Sequence, residues 1–103
     1  MNNKRRTQIS ILAAQIFAAA QNEDITHIAV FYDMLENIKS DEEEYFYNIP
    51  ENLQNGSRAT ESEEVIALME DILDVLSEVM SEDDDEVKIC LMEEAVEMLE
   101  EIV

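Results

Sequence analysis

The 103-residue chain has one glycine, one proline, one cysteine and one histidine, and six lysines and arginines against 26 aspartates and glutamates. Each scarcity excludes something. Glycine and proline punctuate turns, so their near absence, with no run of period-two alternation, argues against a sheet protein and for helices. Cys90, the only cysteine, has no partner for an internal disulfide, which fits a reducing cytoplasm. His27 has no second histidine or cysteine near it to build a metal site. With no Ser-His-Asp pattern and no glycine-rich phosphate loop, the chain shows no catalytic constellation, and the expectation is a non-enzymatic protein with no cofactor and no metal.

Long apolar runs are also missing. The longest, Ile11 to Ala20, is interrupted by Gln15 and is half alanine. It falls well short of the ~20 residues that span a bilayer. Lys4-Arg5-Arg6 followed by that stretch looks superficially like a secretory leader, but Gln8, Ser10 and Gln15 interleave Ile9, Leu12, Ala13, Ile16, Phe17 and Ala20 at helical spacing, whereas a leader core is apolar all round. Scarcity of cations argues against direct binding of nucleic acid or anionic membrane, since both require cationic groups that displace counterions. Basic protein surfaces are the partners that a net charge of −20 favours.

What is present is enough to fold. Hydrophobic residues make up 47% of the chain, above the level at which polar chains stay disordered, and the length suits a single domain over residues 1–103. The spacing predicts an all-α fold: a small bundle of about four helices ending in an antiparallel αα-hairpin. Ile9, Leu12, Ala13, Ile16, Phe17 and Ala20 form a first apolar stripe; Ile25 or Ile28, Phe31, Leu35 and Ile38 form a second. Between them, Gln21-Asn22-Glu23-Asp24 either breaks the helix, with Asn22 or Asp24 as the next N-cap, or is crossed by a continuous helix; a break is the expectation. Ser40 and Glu43 have capping-box spacing and predict a short helical restart near 41–54 carrying Tyr45, Phe46 and Ile49 inward, with Pro50 ending it.

A second capping-box pair, Thr60 and Glu63, precedes a third stripe of Val65, Leu68, Met69, Ile72, Val75 or Leu76, and Val79. The same phase carried onward lands on Glu82, Asp83, Glu86, Glu93 and Glu97, so the helix must break. Ser81 is the expected N-cap of a last helix with the stripe Val87, Leu91, Ala95 (or Met92), Met98 or Leu99, and Ile102. Helices at about 61–80 and 84–102 make the hairpin.

Charge is unevenly divided. Residues 1–40 carry four cations and four acids, while residues 41–103 carry two cations and 22 acids, so the whole imbalance lies in an acidic-aromatic connector (41–60) and the hairpin (61–103). On the hairpin, Glu70, Asp74 and Glu78, and Glu93, Glu97, Glu100 and Glu101, recur at three- and four-residue spacing, which sets carboxylates ~5–6 Å apart along one helix face, with Glu63 two turns before Glu70. Such like-charge pairs cost a few tenths of a kcal/mol each, and Glu97, Glu100 and Glu101 also oppose the helix dipole. A local conflict of this kind points to selection by a cationic partner, against the plainer reading that acidity serves solubility. These eight residues are the candidate partner-binding set.

Other features have structural readings. Glu82-Asp83-Asp84-Asp85-Glu86 fails as a calcium loop, because counting from Asp83 puts Val87 where an oxygen ligand is needed and Lys88 where glycine is needed. It suits an acidic first turn instead. Met69, Met80, Met92 and Met98 read as core filling before they read as a recognition groove. Lys4-Arg5-Arg6 is expected to meet the acidic hairpin, within the chain or across a homodimer. Tyr47 is the aromatic expected to face outward from Glu42-Glu43-Glu44-Tyr45-Phe46-Tyr47.

The segment Asp41-Glu42-Glu43-Glu44-Tyr45, Asn48-Ile49-Pro50-Glu51-Asn52-Leu53-Gln54, Arg58 and Glu63-Glu64 resembles a group of small acidic proteins encoded by phages and mobile elements of gut and related bacteria. The resemblance covers about residues 41–80, with Lys4-Arg5-Arg6 matching in kind, and departs in the first half by roughly fifteen extra residues around 14–30. It implies a phage or mobile-element setting in a bacterial host cytoplasm, where small acidic proteins act against host defence or as accessory factors. The functional expectation is an acidic inhibitor of the DNA-mimic or anti-defence type that occupies a basic, nucleic-acid-binding surface of a host protein. The alternative is a structural or assembly protein that forms helical homo-oligomers by burying the hairpin stripes between subunits.

Overall fold

The computed structural model describes residues 1–53 and 56–103. Among them the chain forms four α-helices and no strand: α1 (Asn3–Gln21), α2 (Ile28–Tyr47), α3 (Ser57–Ser81) and α4 (Asp85–Ile102), with a single 3-10 turn at Glu51–Leu53. Each helix packs on its neighbours in chain order, and α4 closes the ring against α1. Short connections make successive helices antiparallel, so the fold is an up-down four-helix bundle measuring 48 × 22 × 19 Å. α1 and α2 touch least, leaving a shallow groove between them.

One line of apolar residues from each helix fills the centre. Ile9, Leu12 and Ile16 of α1 meet Phe31, Leu35 and Ile38 of α2, Met69, Ile72 and Leu76 of α3, and Met92, Val96 and Leu99 of α4, all buried. Most of the hairpin stripe residues are thereby packed within the chain, with Val65, Leu68, Val75, Leu91 and Met98 half-buried. Met69 and Met92 are core fillers, whereas Met80 is exposed. Phe17 departs from the expected stripe: one residue on from Ile16 turns it ~100° off the buried line, and it is exposed. On α4 the buried line runs through Met92, Ala95, Val96, Leu99 and Ile102, leaving Val87 exposed and Leu91 half-buried.

The helix ends correct several expectations. α1 does stop at Gln21, but neither Asn22 nor Asp24 caps α2. Asn22 is the C-cap of α1, and Glu23 takes a left-handed backbone (φ 52°). Its N–H and that of Asp24 then return to the carbonyls of Ala20 and Ala19, a Schellman closure. Asp24 turns forward to accept from the backbone N–H and hydroxyl of Thr26, and exposed His27 occupies the N-cap position of α2 without a side-chain bond.

Ser40 starts nothing: α2 runs unbroken to Tyr47, because Asp41–Glu44 continue its helical phase and Glu42 is held inside. The chain turns at Asn48–Pro50, as Pro50 requires. Gln54, the end of the Asn48–Gln54 motif, lies outside the described residues. α3 begins four residues before the expected start, with Gly56 as N-cap; Thr60 sits one turn in, its hydroxyl donating to the Gly56 carbonyl. Ser81 ends α3 instead of capping α4. Asp84 is the cap, its Oδ1 accepting from Glu86 N–H at 2.9 Å, which explains why the acidic run sits where it does.

Candidate functional site

The hairpin α3–α4 presents the candidate surface. All eight carboxylates singled out from the sequence are exposed. On α3, Glu63, Glu70, Asp74 and Glu78 follow a line opposite the buried Met69, Ile72 and Leu76; on α4, Glu93, Glu97, Glu100 and Glu101 lie opposite Met92, Ala95 and Leu99. The α3 line spans ~22 Å and the α4 line ~12 Å at 1.5 Å per residue. Because the helices are antiparallel, Glu100 and Glu101 return to the level of the first turns of α3. Glu64, Asp71 and Glu94 are exposed beside these lines, residues the sequence reading had left out of the set.

Few cations oppose this surface. Lys39 of α2 reaches Glu70 at 3.4 Å and Glu43 at 3.7 Å, so Glu70 is already engaged within the chain. The hairpin helices themselves contribute only Arg58 and Lys88. Glu82 and Asp84 spend oxygens on backbone N–H groups at the α3–α4 turn, Glu82 Oε1 accepting from Asp83 and Asp84. Among the described residues, no three of His, Cys, Asp and Glu converge as ligands for a metal ion. No described helix is long and apolar enough to cross a membrane.

A second carboxylate cluster, at the other extreme of burial, was not anticipated. Glu42 on α2 is wholly buried. Its Oε2 accepts from Arg5 Nε at 3.1 Å, and its Oε1 accepts from Ser62 Oγ at 3.3 Å with the Met1 amino group 3.5 Å away. Beside it, Glu61 accepts from Arg6 Nη2 at 2.9 Å and from the Met1 amino group at 3.1 Å. The amino group and Arg6 together hold the Glu61 carboxyl below the usual carboxylate range. Arg5 also stacks over Tyr45, 5.2 Å from the ring centroid.

The basic triplet therefore divides. Arg6 meets the hairpin as expected, though at Glu61 and at none of the eight candidates; Arg5 goes to α2; Lys4 stays exposed. A signal for Glu42 was present: it lies four residues after Ile38 and seven after Leu35, so it continues the buried line of α2. A glutamate at such a position needs a cation, and Arg5 of the N-terminal basic triplet supplies it.

A cleft of about 470 Å³ lies at the α2–α3 junction between Tyr45, Ile49, Pro50, Leu53 and Arg58 and is open to solvent. Exposed Tyr47 stands nearby at 72% accessibility, facing outward as expected. Comparison with family models, with curated proteins and with solved structures finds no match to this chain. The case for function therefore rests on the geometry of the two carboxylate populations.

Proposed function

We propose that the protein is a stoichiometric binding protein whose α3–α4 face occupies a basic protein groove of the kind that holds nucleic acid. The observation that carries this reading is the placement of Glu63, Glu70, Asp74, Glu78, Glu93, Glu97, Glu100 and Glu101, all exposed, along the outward lines of two adjacent antiparallel helices with almost no cations between them. A regular array of carboxylates enters a cationic channel as a phosphate backbone does, through charge and spacing and without base information. The acid-to-acid repulsion that this array costs in the free protein is relieved when a basic surface covers it. The setting that the resemblance implies, a phage or mobile element in a bacterial cytoplasm, supplies partners of that chemistry among host nucleic-acid-binding and defence proteins.

Affinity capture from bacterial lysate at 50 mM and 500 mM NaCl tests this. The expected result is a basic partner retained at low salt and released at high salt, as the linear dependence on log salt for multi-charge contacts requires. Replacing Glu93, Glu97, Glu100 and Glu101 together by lysine is expected to abolish capture of that partner. Unchanged capture by the charge-reversed protein overturns the reading.

A further inference from the structure

We infer that the groove between α1 and α4 receives a basic amphipathic helix of the partner, an apolar side chain seating against Phe17 while lysines or arginines reach Glu93, Glu97 and Glu100. The inference rests on the reading of α3–α4 as a binding face and assigns the chemistry of what meets its α4 edge.

The two walls of this groove differ in kind. Ser10, Ala14 and Phe17 of α1 line a cleft of about 310 Å³ with Val103, and Glu100 of α4 stands at the same cleft. Phe17 and Val103 are 51% and 50% exposed, so the cleft shows apolar surface to water. No residue from Thr7 to Asn22 carries a charge, which leaves the α1 wall without a cation to offer the other side. Glu97 and Glu93 lie three and seven residues before Glu100 and continue its line along the groove. All three carboxylates are exposed, and none makes an ion pair among the described residues.

This pairing of walls selects the occupant. A second copy does not suit it, because its hairpin is equally acidic and its Arg5 and Arg6 are already held by Glu42 and Glu61. A neutral apolar ligand would cover Phe17 and leave the carboxylate line unpaired. A purely cationic surface would pair the carboxylates and leave Phe17 in water. A helix with apolar residues on one face, flanked by lysine or arginine, satisfies both walls. The carboxylate line spans ~10 Å, about two helical turns of such a partner. Its long basic side chains can lay their methylene stems over Ala14 and Phe17 while their charged heads reach the glutamates, and an arginine gains further from the aromatic face. Charge then governs how fast the complex forms, and the seated apolar anchor governs how long it lasts.

A fluorescein-labelled peptide of sixteen leucines and lysines, with its leucines on one helical face, tests the inference against a scrambled peptide of the same composition. Binding is read by anisotropy in 50, 100 and 200 mM NaCl. The amphipathic peptide is expected to bind at least tenfold tighter than the scrambled one. Phe17→Gln is expected to lose at least tenfold in affinity for it, with the slope of log affinity against log salt unchanged and helix content by circular dichroism retained. Phe17→Leu, which keeps an apolar side chain, stays within threefold, and so does Ile11→Gln on the opposite edge of α1. Glu93→Gln, Glu97→Gln and Glu100→Gln combined lower the slope. Equal binding of the two peptides, or Phe17→Gln within threefold of the parent, overturns the inference and leaves the charge reading of the hairpin face standing. A slope that the triple variant leaves unchanged also overturns it, since the α4 line is then not engaged. Peptide binding with no salt dependence overturns the charge reading itself.

Discussion

Glu42 and Glu97 are the same side chain on two helices of one bundle, and the molecule uses them in opposite ways. Glu42 is wholly buried and bonded to Arg5 and Ser62, so it ties the start of α1 to α2 and α3. Glu97 stands exposed among neighbours of like charge. Burial raises the stakes of a charge: an ion in a low-dielectric interior is tolerated only with its partners in place, and removing one partner strands the other. At the surface, water and salt do most of the stabilising, and a carboxylate is free to serve a partner outside the chain. The difference lies in position along the helix wheel and not in chemistry.

Breaking that comparison at its buried end gives the largest expected effect. Glu42→Ala leaves Arg5 and the amino group beside it uncompensated and is expected to cost roughly 3–5 kcal/mol in urea unfolding. Glu42→Leu combined with Arg5→Met, which removes both charges and keeps volume, is expected to recover most of that loss. At the exposed end the sign reverses. Replacing Glu93, Glu97, Glu100 and Glu101 by glutamine is expected to stabilise the protein by about 1–2 kcal/mol at low salt, relieving like-charge pairs and the opposed helix dipole. The gain should shrink in 0.5 M NaCl, measured the same way.

Glu23 sharpens the contrast by separating charge from backbone. Its left-handed conformation suits glycine, so Glu23→Gly is expected to raise stability by about 1 kcal/mol, while Glu23→Gln, with the charge gone and the conformation unchanged, stays near the parent. Glu61 lies between the two extremes, with a lowered carboxyl pKa but a side chain 45% exposed. A lowered folded pKa contributes stability that is present above the unfolded carboxyl range and is lost as pH falls through the folded value. Unfolding midpoints measured from pH 6 to pH 3 should therefore fall less steeply for Glu61→Gln than for the parent, by under ~0.5 kcal/mol because solvent screens the pair.

Reading the helices from the sequence succeeded where period and composition agree. The lines through Ile9, Leu12 and Ile16, through Phe31, Leu35 and Ile38, and through Met69, Ile72 and Leu76 are repeated at helical spacing, and burial follows from that spacing. Helix ends were harder. Asn22 or Asp24, Thr60 and Ser81 each offer a capping side chain, yet the caps went to His27, Gly56 and Asp84, because a cap depends on where neighbouring packing lets the chain leave the helix. The eight hairpin carboxylates were legible as surface residues for the same reason that the core was: they lie half a turn away from it.

The amino-acid order alone determined that the chain is helical, that one face of each helix is apolar, and that its negative charge is concentrated after residue 40, since these are properties of local spacing and composition. Only the tertiary structure decided which acid goes inside, which arginine meets it, and which apolar side chains remain uncovered. Those outcomes depend on residues 37 or 55 positions apart, as Arg5 is from Glu42 and Arg6 from Glu61. Side chains so far apart in sequence meet only when helix packing has set their distance, and helical periodicity carries no information beyond its own helix.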